Sequence, residues 1–324
     1  MMGTTFDDTT TEAHMGLRLD VYLAGAIEDV SRSIIQRFIK EGLVEVNGAV
    51  CQKSGRSMAA GDRVVAVLPA PPNTDLLPQA IPLSILYEDS DLLVIDKPSG
   101  LVVHPAPGHP DGTLVNAVLH HCPDFQKPGD DLGRPGIVHR LDRFTSGVML
   151  VAKSHAAFAG LAEQAREHTF DRRYLALVRG EFKENTGRIN ASVGRSLHDR
   201  GRMSVTGVNA RDAITRFEVL ERFRVASLVS LVLETGRTHQ IRVHMRFAGH
   251  PVLGDPVYGV TEFGKWDVPD LLLDALKELE GQALHAERLG FTHPVTKKRL
   301  TFTAPPPADF QRVLGTLRSL HAAH

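Results

Sequence analysis

Apolar residues first recur at helical spacing in "SRSIIQRFIKEG". Ile34, Ile35, Phe38 and Ile39 share one face there, Ser31 stands at the N-cap position, and Gly42 stops the helix. The period then shortens. "LVEVNGAVC" places two short strands around Asn47-Gly48, a dipeptide suited to a two-residue hairpin turn, and "GDRVVAVLP" supplies another strand. Residues 69–82, "PAPPNTDLLPQAIP", hold five prolines and little that could pack, so an extended linker is expected.

Beyond the linker the two periods alternate irregularly. "SILYEDSDLLVIDKP" reads as a hairpin, "TLVNAVLHHC" as a short helix, and 123–136 as a Pro/Gly/Asp-rich loop. "GVMLVAK" is a strand and "SHAAFAGLAEQAREH" an amphipathic helix capped by Ser154. "YLALVRG", "AITRFEVLERF", "ASLVSLVLETG" and "RLTFTAP" are further strands, and "ADFQRVLGTLRSLHA" closes the chain as a helix. Many neighbouring strands with few crossover helices predict an α+β domain on a large mixed, mostly antiparallel sheet. The expected divisions are a polar, disordered tail over 1–15, a small unit over 16–70, a Pro-rich linker over 71–82 and a large domain over 83–324.

Composition narrows the class. The 324 residues are 42% hydrophobic and 23% charged, which excludes global disorder. Cys51 and Cys122 lie far apart, so neither a disulfide framework nor a structural zinc site is expected, which suits a reducing cytoplasm. No run approaches a membrane span, and "MMGTTFDDTTTEAHMG" lacks the features of a signal peptide. Net charge is −1, yet residues 166–246 carry 16 Lys and Arg against 9 Asp and Glu, and fifteen of those cations are arginine. Arginine suits bidentate phosphate contacts and base stacking. On α-helical geometry, Arg32, Arg37 and Lys40 point away from the apolar face of the first helix and make one side of it cationic.

The chain has no Walker loop, no GxGxxG after a strand, no GxSxG elbow and no HExxH, and its histidines match no standard ligand spacing. Chemistry must then rest on side chains. "GIVHRLDRFTSG" interrupts an apolar run with His139, Arg140, Asp142 and Arg143. If 137–142 is a strand, Arg140 and Asp142 share a face. A carboxylate beside a cation at a strand end can attack a substrate or stabilise positive charge, although a structural ion pair fits equally well. In "ETGRTHQIRVHMRFAGH", Thr238 is the expected cap of a helix from about His239 to Ala248, with Arg242 and Arg246 on one face and Arg237 just before it. A helix N-terminus among cations suits an anion, either a nucleic-acid phosphate or Asp142 itself.

The small unit, through "RLDVYLA", "SRSIIQRFIKEGLVEVNG" and "GDRVVAV", resembles the alpha-L RNA-binding domain, whose helix and hairpin present basic residues to structured RNA. "VIDKPSGLVVHP", "HRLDRFTSG", "RRYLALV", "GRTHQIRVHM", "HPVLGDPVYG" and "LHAERLGFTHP" then closely resemble the RluA family of pseudouridine synthases, and the alpha-L domain in front points to its RluD-like branch. The resemblance spans roughly residues 16–310 in the family's order. It implies a cofactor-free and metal-free isomerase that detaches uracil, rotates it and rejoins it through carbon 5.

On this resemblance Asp142 is the nucleophile, at sugar or base. Tyr174 packs on the base and aids proton removal, Arg242 pairs with the catalytic carboxylate, and Arg140 enters the stack as the base flips out. His139, Arg237, His239, Arg32, Arg37 and Lys40 are the expected RNA contacts. The implied partner is structured RNA, large-subunit ribosomal RNA or a ribosome precursor, met by a cytoplasmic monomer with no membrane contact. Phe144 and the irregular "VTGVNARDAITRF" depart from close relatives and bear on target choice. Two rival readings are a non-catalytic RNA-binding assembly factor and a carboxylate-dependent hydrolase, the latter requiring a second carboxylate in a matching motif.

Overall fold

The computed structural model describes every residue except 1–3, 28–29, 31, 69–75, 107, 130–133, 198, 200, 260–267 and 324. Ser31, the expected cap, and residues 69–75 of the expected linker therefore lie outside the described residues. The chain divides into two units, Met1–Leu76 and Leu77–His324.

In the first unit, β1 (Thr4–Thr9) precedes a short 3-10 turn, α1 (Leu19–Ala26), α2 (Arg32–Lys40), β2 (Val44–Val46), β3 (Ala49–Val50) and β4 (Arg63–Leu68). The antiparallel sheet runs β1-β4-β2-β3. Helix α2 buries Ile35, Phe38 and Ile39 among Leu19, Leu23, Val44 and Val64. Asn47 and Gly48 both take positive φ, 55° and 77°, as the tight hairpin turn requires. The expected disordered tail is corrected over residues 4–9. Strand β4 offers a second edge, and "TTFDDT" pairs along it with Phe6 opposite Ala66 and packed on the core. Asp7 binds Arg63, and the Tyr22 hydroxyl donates to Asp8 at 2.6 Å.

The second unit begins with the hairpin β5 (Ser84–Glu88) and β6 (Leu92–Lys97), then α3 (Leu114–His121), β7 (Ser146–Ala152), α4 (His155–Arg166) and β8 (Asp171–Arg179). There follow β9 (Thr186–Asn190), β10 (Val193–Arg195), β11 (Met203–Ser204), β12 (Val208–Arg211), β13 (Ile214–Arg222) and β14 (Ala226–Leu233). Helices α5 (Gln240–Phe247) and α6 (Asp270–Lys277), strands β15 (Leu284–Thr292) and β16 (Arg299–Thr303), and α7 (Ala308–Ala322) complete it. One nine-stranded sheet runs β5-β6-β7-β15-β8-β14-β13-β9, with β16 also on β15, and β10–β12 form a separate small sheet. Among the described residues only β7 and β15 pair in parallel, so the fold is α+β on a mixed, mostly antiparallel sheet.

Strand β7 is buried along its whole length, as its continuous apolar sequence demands. Ala157 and Leu161 of α4 join Val148, Leu150, Leu289 and Phe291 in the core below it. At the parallel pairing, Gly147 has φ +112°, and a Cβ there would lie 2.3 Å from the Ala286 carbonyl oxygen. Only glycine permits that approach.

Residues 137–142 do not form the strand considered from the sequence. Pro135 has no N–H to give a ladder, and Gly136 turns the chain at φ +74°. The segment instead lines the edge of β7. Gly136 accepts the Ala152 N–H at 2.9 Å, and His139 Nε2 accepts the Leu150 N–H at 3.1 Å.

Candidate active site

Asp142 ends this edge-lining loop, and its carbonyl accepts the Thr145 N–H in the turn that enters β7. Beneath the turn lies the buried Lys97, whose ammonium donates to the carbonyls of Pro98, Leu101 and Arg143 at 2.7, 2.9 and 3.0 Å. Burial pushes its pKa down to about 7, while the Asp142, Glu280 and Asp96 carboxylates oppose that shift. Lys97 thus fastens the loop after β6 to the turn before β7 through their backbones.

Arg242 projects from α5, 4% exposed, and bridges two carboxylates. Its Nη1 donates to Asp142 Oδ2 at 2.9 Å, and its Nε and Nη2 donate to Asp255 at 2.7 and 2.8 Å. Asp255 is 2% exposed and also accepts the Val257 and Tyr258 N–H groups, both at 2.9 Å. Burial alone would raise the Asp255 pKa. The Arg242 bonds and charge, with the two amides, overcome it and hold the carboxyl below its usual range. Arg242 shows the converse: burial disfavours its charge, but the two carboxylates hold its pKa above the usual value. Asp142 thus takes its hydrogen bond from a guanidinium held in place on its far side by Asp255.

Helix α5 starts one residue later than expected. Its cap is His239, in the left-handed region at φ 55°, and Thr238 lies outside. The buried Gln240 explains the shift: its Oε1 accepts the Arg237 N–H and the Thr235 hydroxyl, and its Nε2 donates to Ile214 O on β13. His239 Nδ1 meets the Tyr258 hydroxyl at 2.8 Å, and its Nε2 lies 3.9 Å from Asp142. Burial depresses the pKa of this imidazole.

A cavity of about 430 Å³ opens above this group, lined by Asp142, Tyr174, Arg140, His139, Arg237 and His239 among others. Tyr174 enters from β8, 7% exposed, and burial raises its pKa above that of a free phenol. The structure therefore brings together seven of the ten candidate residues. The expected sharing of one strand face by Arg140 and Asp142 is not found: Asp142 takes its guanidinium from Arg242, and Arg140 is exposed at the cavity. His139, expected to touch RNA, spends Nε2 on the Leu150 amide, and burial drives its pKa down to about 3. Arg246, expected to share a face with Arg242, is exposed and donates to Tyr258 O. In the first unit Arg32 pairs with the buried Asp20, Arg37 lies 5.5 Å over the Phe38 ring, and Lys40 is exposed.

Sequence reasoning passed over Asp255 and Lys97. Both lay inside quoted motifs, "HPVLGDPVYG" and "VIDKPSG", and a charged residue set among apolar and turn residues was the available signal. Two groups with metal-ligand chemistry, Glu88 with His121 and Cys122, and Asp89 with Asp91 and His293, do not line the cavity. Each is internally satisfied, by Lys153 and His121 on Glu88, and by Tyr87, His293 and two amides on Asp89. No helix among the described residues is long and apolar enough to cross a membrane.

Comparison with known proteins agrees with this architecture. Residues 91–247 match the family described as RNA pseudouridylate synthase, and residues 17–64 match the S4 domain. The chain is 46% identical to an uncharacterized RNA pseudouridine synthase of Synechocystis sp., covering 96% of this chain and 92% of the relative. It is 44% identical to ribosomal large subunit pseudouridine synthase D of Neisseria meningitidis, covering 94% and 79%. The solved structure of human RNA pseudouridylate synthase domain containing 1 superposes with a TM-score of 0.54 at 28% identity, covering 74% of this chain and 96% of that one.

Proposed function

The chain belongs to the RNA pseudouridylate synthase family, and from that premise we propose that it converts specific uridines of large-subunit ribosomal RNA to pseudouridine. The observation that carries this reading is the Asp142 carboxylate, aimed into a cavity by an arginine that Asp255 holds from behind, with Tyr174 on the neighbouring wall. Such a carboxylate can bond covalently to the sugar or the ring of an extruded uridine while the bond from ribose C1′ to N1 breaks. The uracil turns, C5 bonds to C1′, and the bond to Asp142 breaks, in the same step where it was to the sugar and afterwards where it was to the ring, which frees the carboxylate. The C5 proton is then lost, with Tyr174 beside it, and N1 ends protonated, so substrate and product are isomers. The exposed Arg140 fills the space the base leaves in the RNA stack, and Arg237 and His239 meet the backbone near it.

The S4 unit supplies affinity through phosphate contacts from Arg37 and Lys40, and the cavity supplies site choice. Arg32 serves by holding α2 to Asp20. Asp142, Tyr174 and Arg242 all come from one chain, which supports action as a monomer, and a ribosomal substrate supports a cytoplasmic place of action.

The test is tritium release from large-subunit transcript labelled at uracil C5, with wild type and Asp142→Asn. Release by the wild type alone is expected, with RNA affinity alike in both. An abasic product would instead make the protein a hydrolase. Binding by both proteins, with release by neither from free or particle-bound RNA, would make it an assembly factor.

A further inference from the structure

A second cavity, of about 650 Å³, lies against the catalytic one. The two share Arg211, Gly236, Arg237 and Thr238, so strand β12 and the loop before α5 form a common wall. The far side of the second cavity is built by β10 and the start of β11, with Arg195, Ser196 and Met203.

The shared wall is unusually cationic. Arg211 is close enough to Arg237 to disfavour its charge. Burial and the Arg211 charge together lower the Arg237 pKa, and Asp212 only partly offsets them. Arg237 is fixed in place by its Nε bond to the Asp212 carbonyl at 3.0 Å. Arg172 reaches the same wall from the catalytic side. A Cβ on Gly236 would lie 3.0 Å from Arg172 Nη1, and Arg172 Nε is buried without a hydrogen-bond partner. Three guanidiniums on one wall, at the seam of two cavities, create a cost that an anion would relieve.

We propose that this wall binds the phosphodiester joining the target uridine to one neighbouring nucleotide, and that the second cavity receives that neighbour. The proposal rests on the synthase reading above and extends it: the enzyme reads a dinucleotide step rather than a lone uridine. The two cavities flank the phosphate as sugar and base flank it on either side. Arg195 lines the second cavity beyond the wall.

The test uses a synthetic RNA hairpin bearing the uridine mapped by tritium release. It is made in three forms: native, with a neutral methylphosphonate 5′ to the target, and with one 3′ to it. Wild type and Arg211→Gln are compared on each, after equal melting temperatures confirm that this exposed side chain is not needed for folding. On native RNA the variant should lose about 10- to 100-fold in kcat/KM, the range of a hydrogen bond to a charged group. At one of the two linkages the methylphosphonate should cost the wild type a similar factor and cost the variant nothing further. At the other linkage the two losses should multiply. An abasic nucleotide on the coupled side should cost the wild type about 10-fold, the range of one stacked base. Multiplied losses at both linkages would overturn the phosphate site, and full activity on the abasic RNA would overturn the neighbour's cavity. If the wild type releases no tritium from native RNA, the synthase reading fails instead, and the same cycle read as Kd still decides the phosphate site.

Discussion

Asp255→Asn puts the buried charge relay to a quantitative test. Asp255 accepts four hydrogen bonds. Oδ2 takes Arg242 Nε, and Oδ1 takes Arg242 Nη2 with the Val257 and Tyr258 amides. Asparagine has one carbonyl oxygen, and the least costly orientation keeps it at the Oδ1 position. The new amide then points its own N–H at Arg242 Nε–H. One charge-assisted bond becomes a clash, one weakens, and Arg242 keeps only the partly exposed Asp142 as counter-charge. Removing one partner of a buried pair costs about 3–5 kcal/mol. With a urea m-value of about 3 kcal/mol/M for a unit of this size, the midpoint should fall by about 1–1.7 M at pH 7.

The pH dependence gives a second reading. The folded Asp255 pKa lies below its unfolded value, so its contribution is complete above the usual carboxylate pKa near 4 and is lost as pH falls through the folded value. The gap between wild type and variant should therefore narrow in acid. A loss under about 1 kcal/mol at pH 7, or a gap that widens in acid, would refute the assignment of Asp255 as the anchor of Arg242.

Three further outcomes are expected. Lys97→Met strands three carbonyls and should cost about 2–4 kcal/mol by urea unfolding. The native lysine titrates near 7 and the unfolded one near 10.5, so the unfolded state binds more protons between them. Wild type should therefore gain stability from pH 7 to 9 relative to the variant. Tyr174→Phe should keep RNA affinity and melting temperature but slow tritium release by about 10²-fold or more, the range of a positioned acid–base group; unchanged release would remove Tyr174 from the chemistry. Gly147→Ala forces a Cβ into the Ala286 backbone and should cost more than about 3 kcal/mol, read as a fall in melting temperature.

Periodicity located what local sequence controls. The hairpin of β5 and β6, helix α4 with Ser154 accepting the Ala157 N–H at 3.1 Å, and helix α7 all carry their signals within a few residues. The failures have distant causes. Residues 137–142 resemble a strand, yet the edge of β7 claims them through His139 and Gly136. The start of α5 is set by Gln240 reaching Ile214, which no cap rule contains. Residues 4–9 look like a tail until the edge of β4 gives them a partner. Asp142 and Arg242 stood out as a pair through family motifs. Asp255 did not, because its role is to be buried behind another residue, and burial is decided by the assembled fold.

Strand β15 sets an order of events for a chain emerging from the ribosome. It is the last but one strand in sequence, yet it lies between β7 and β8. Until Leu284–Thr292 arrives, the sheet exists as two halves, one ending in the β7 that Asp142 leads into, the other starting at the β8 that carries Tyr174 and including the β14 that precedes Arg242. Ser146 must meet His285 across 139 residues, a contact whose loop-closure entropy delays it behind every local hairpin. The RNA-binding unit is complete by residue 76 and can form while the rest is still being translated. The cavity is therefore completed late, when a single strand closes the seam on which the Asp142 carboxylate and Arg242 meet.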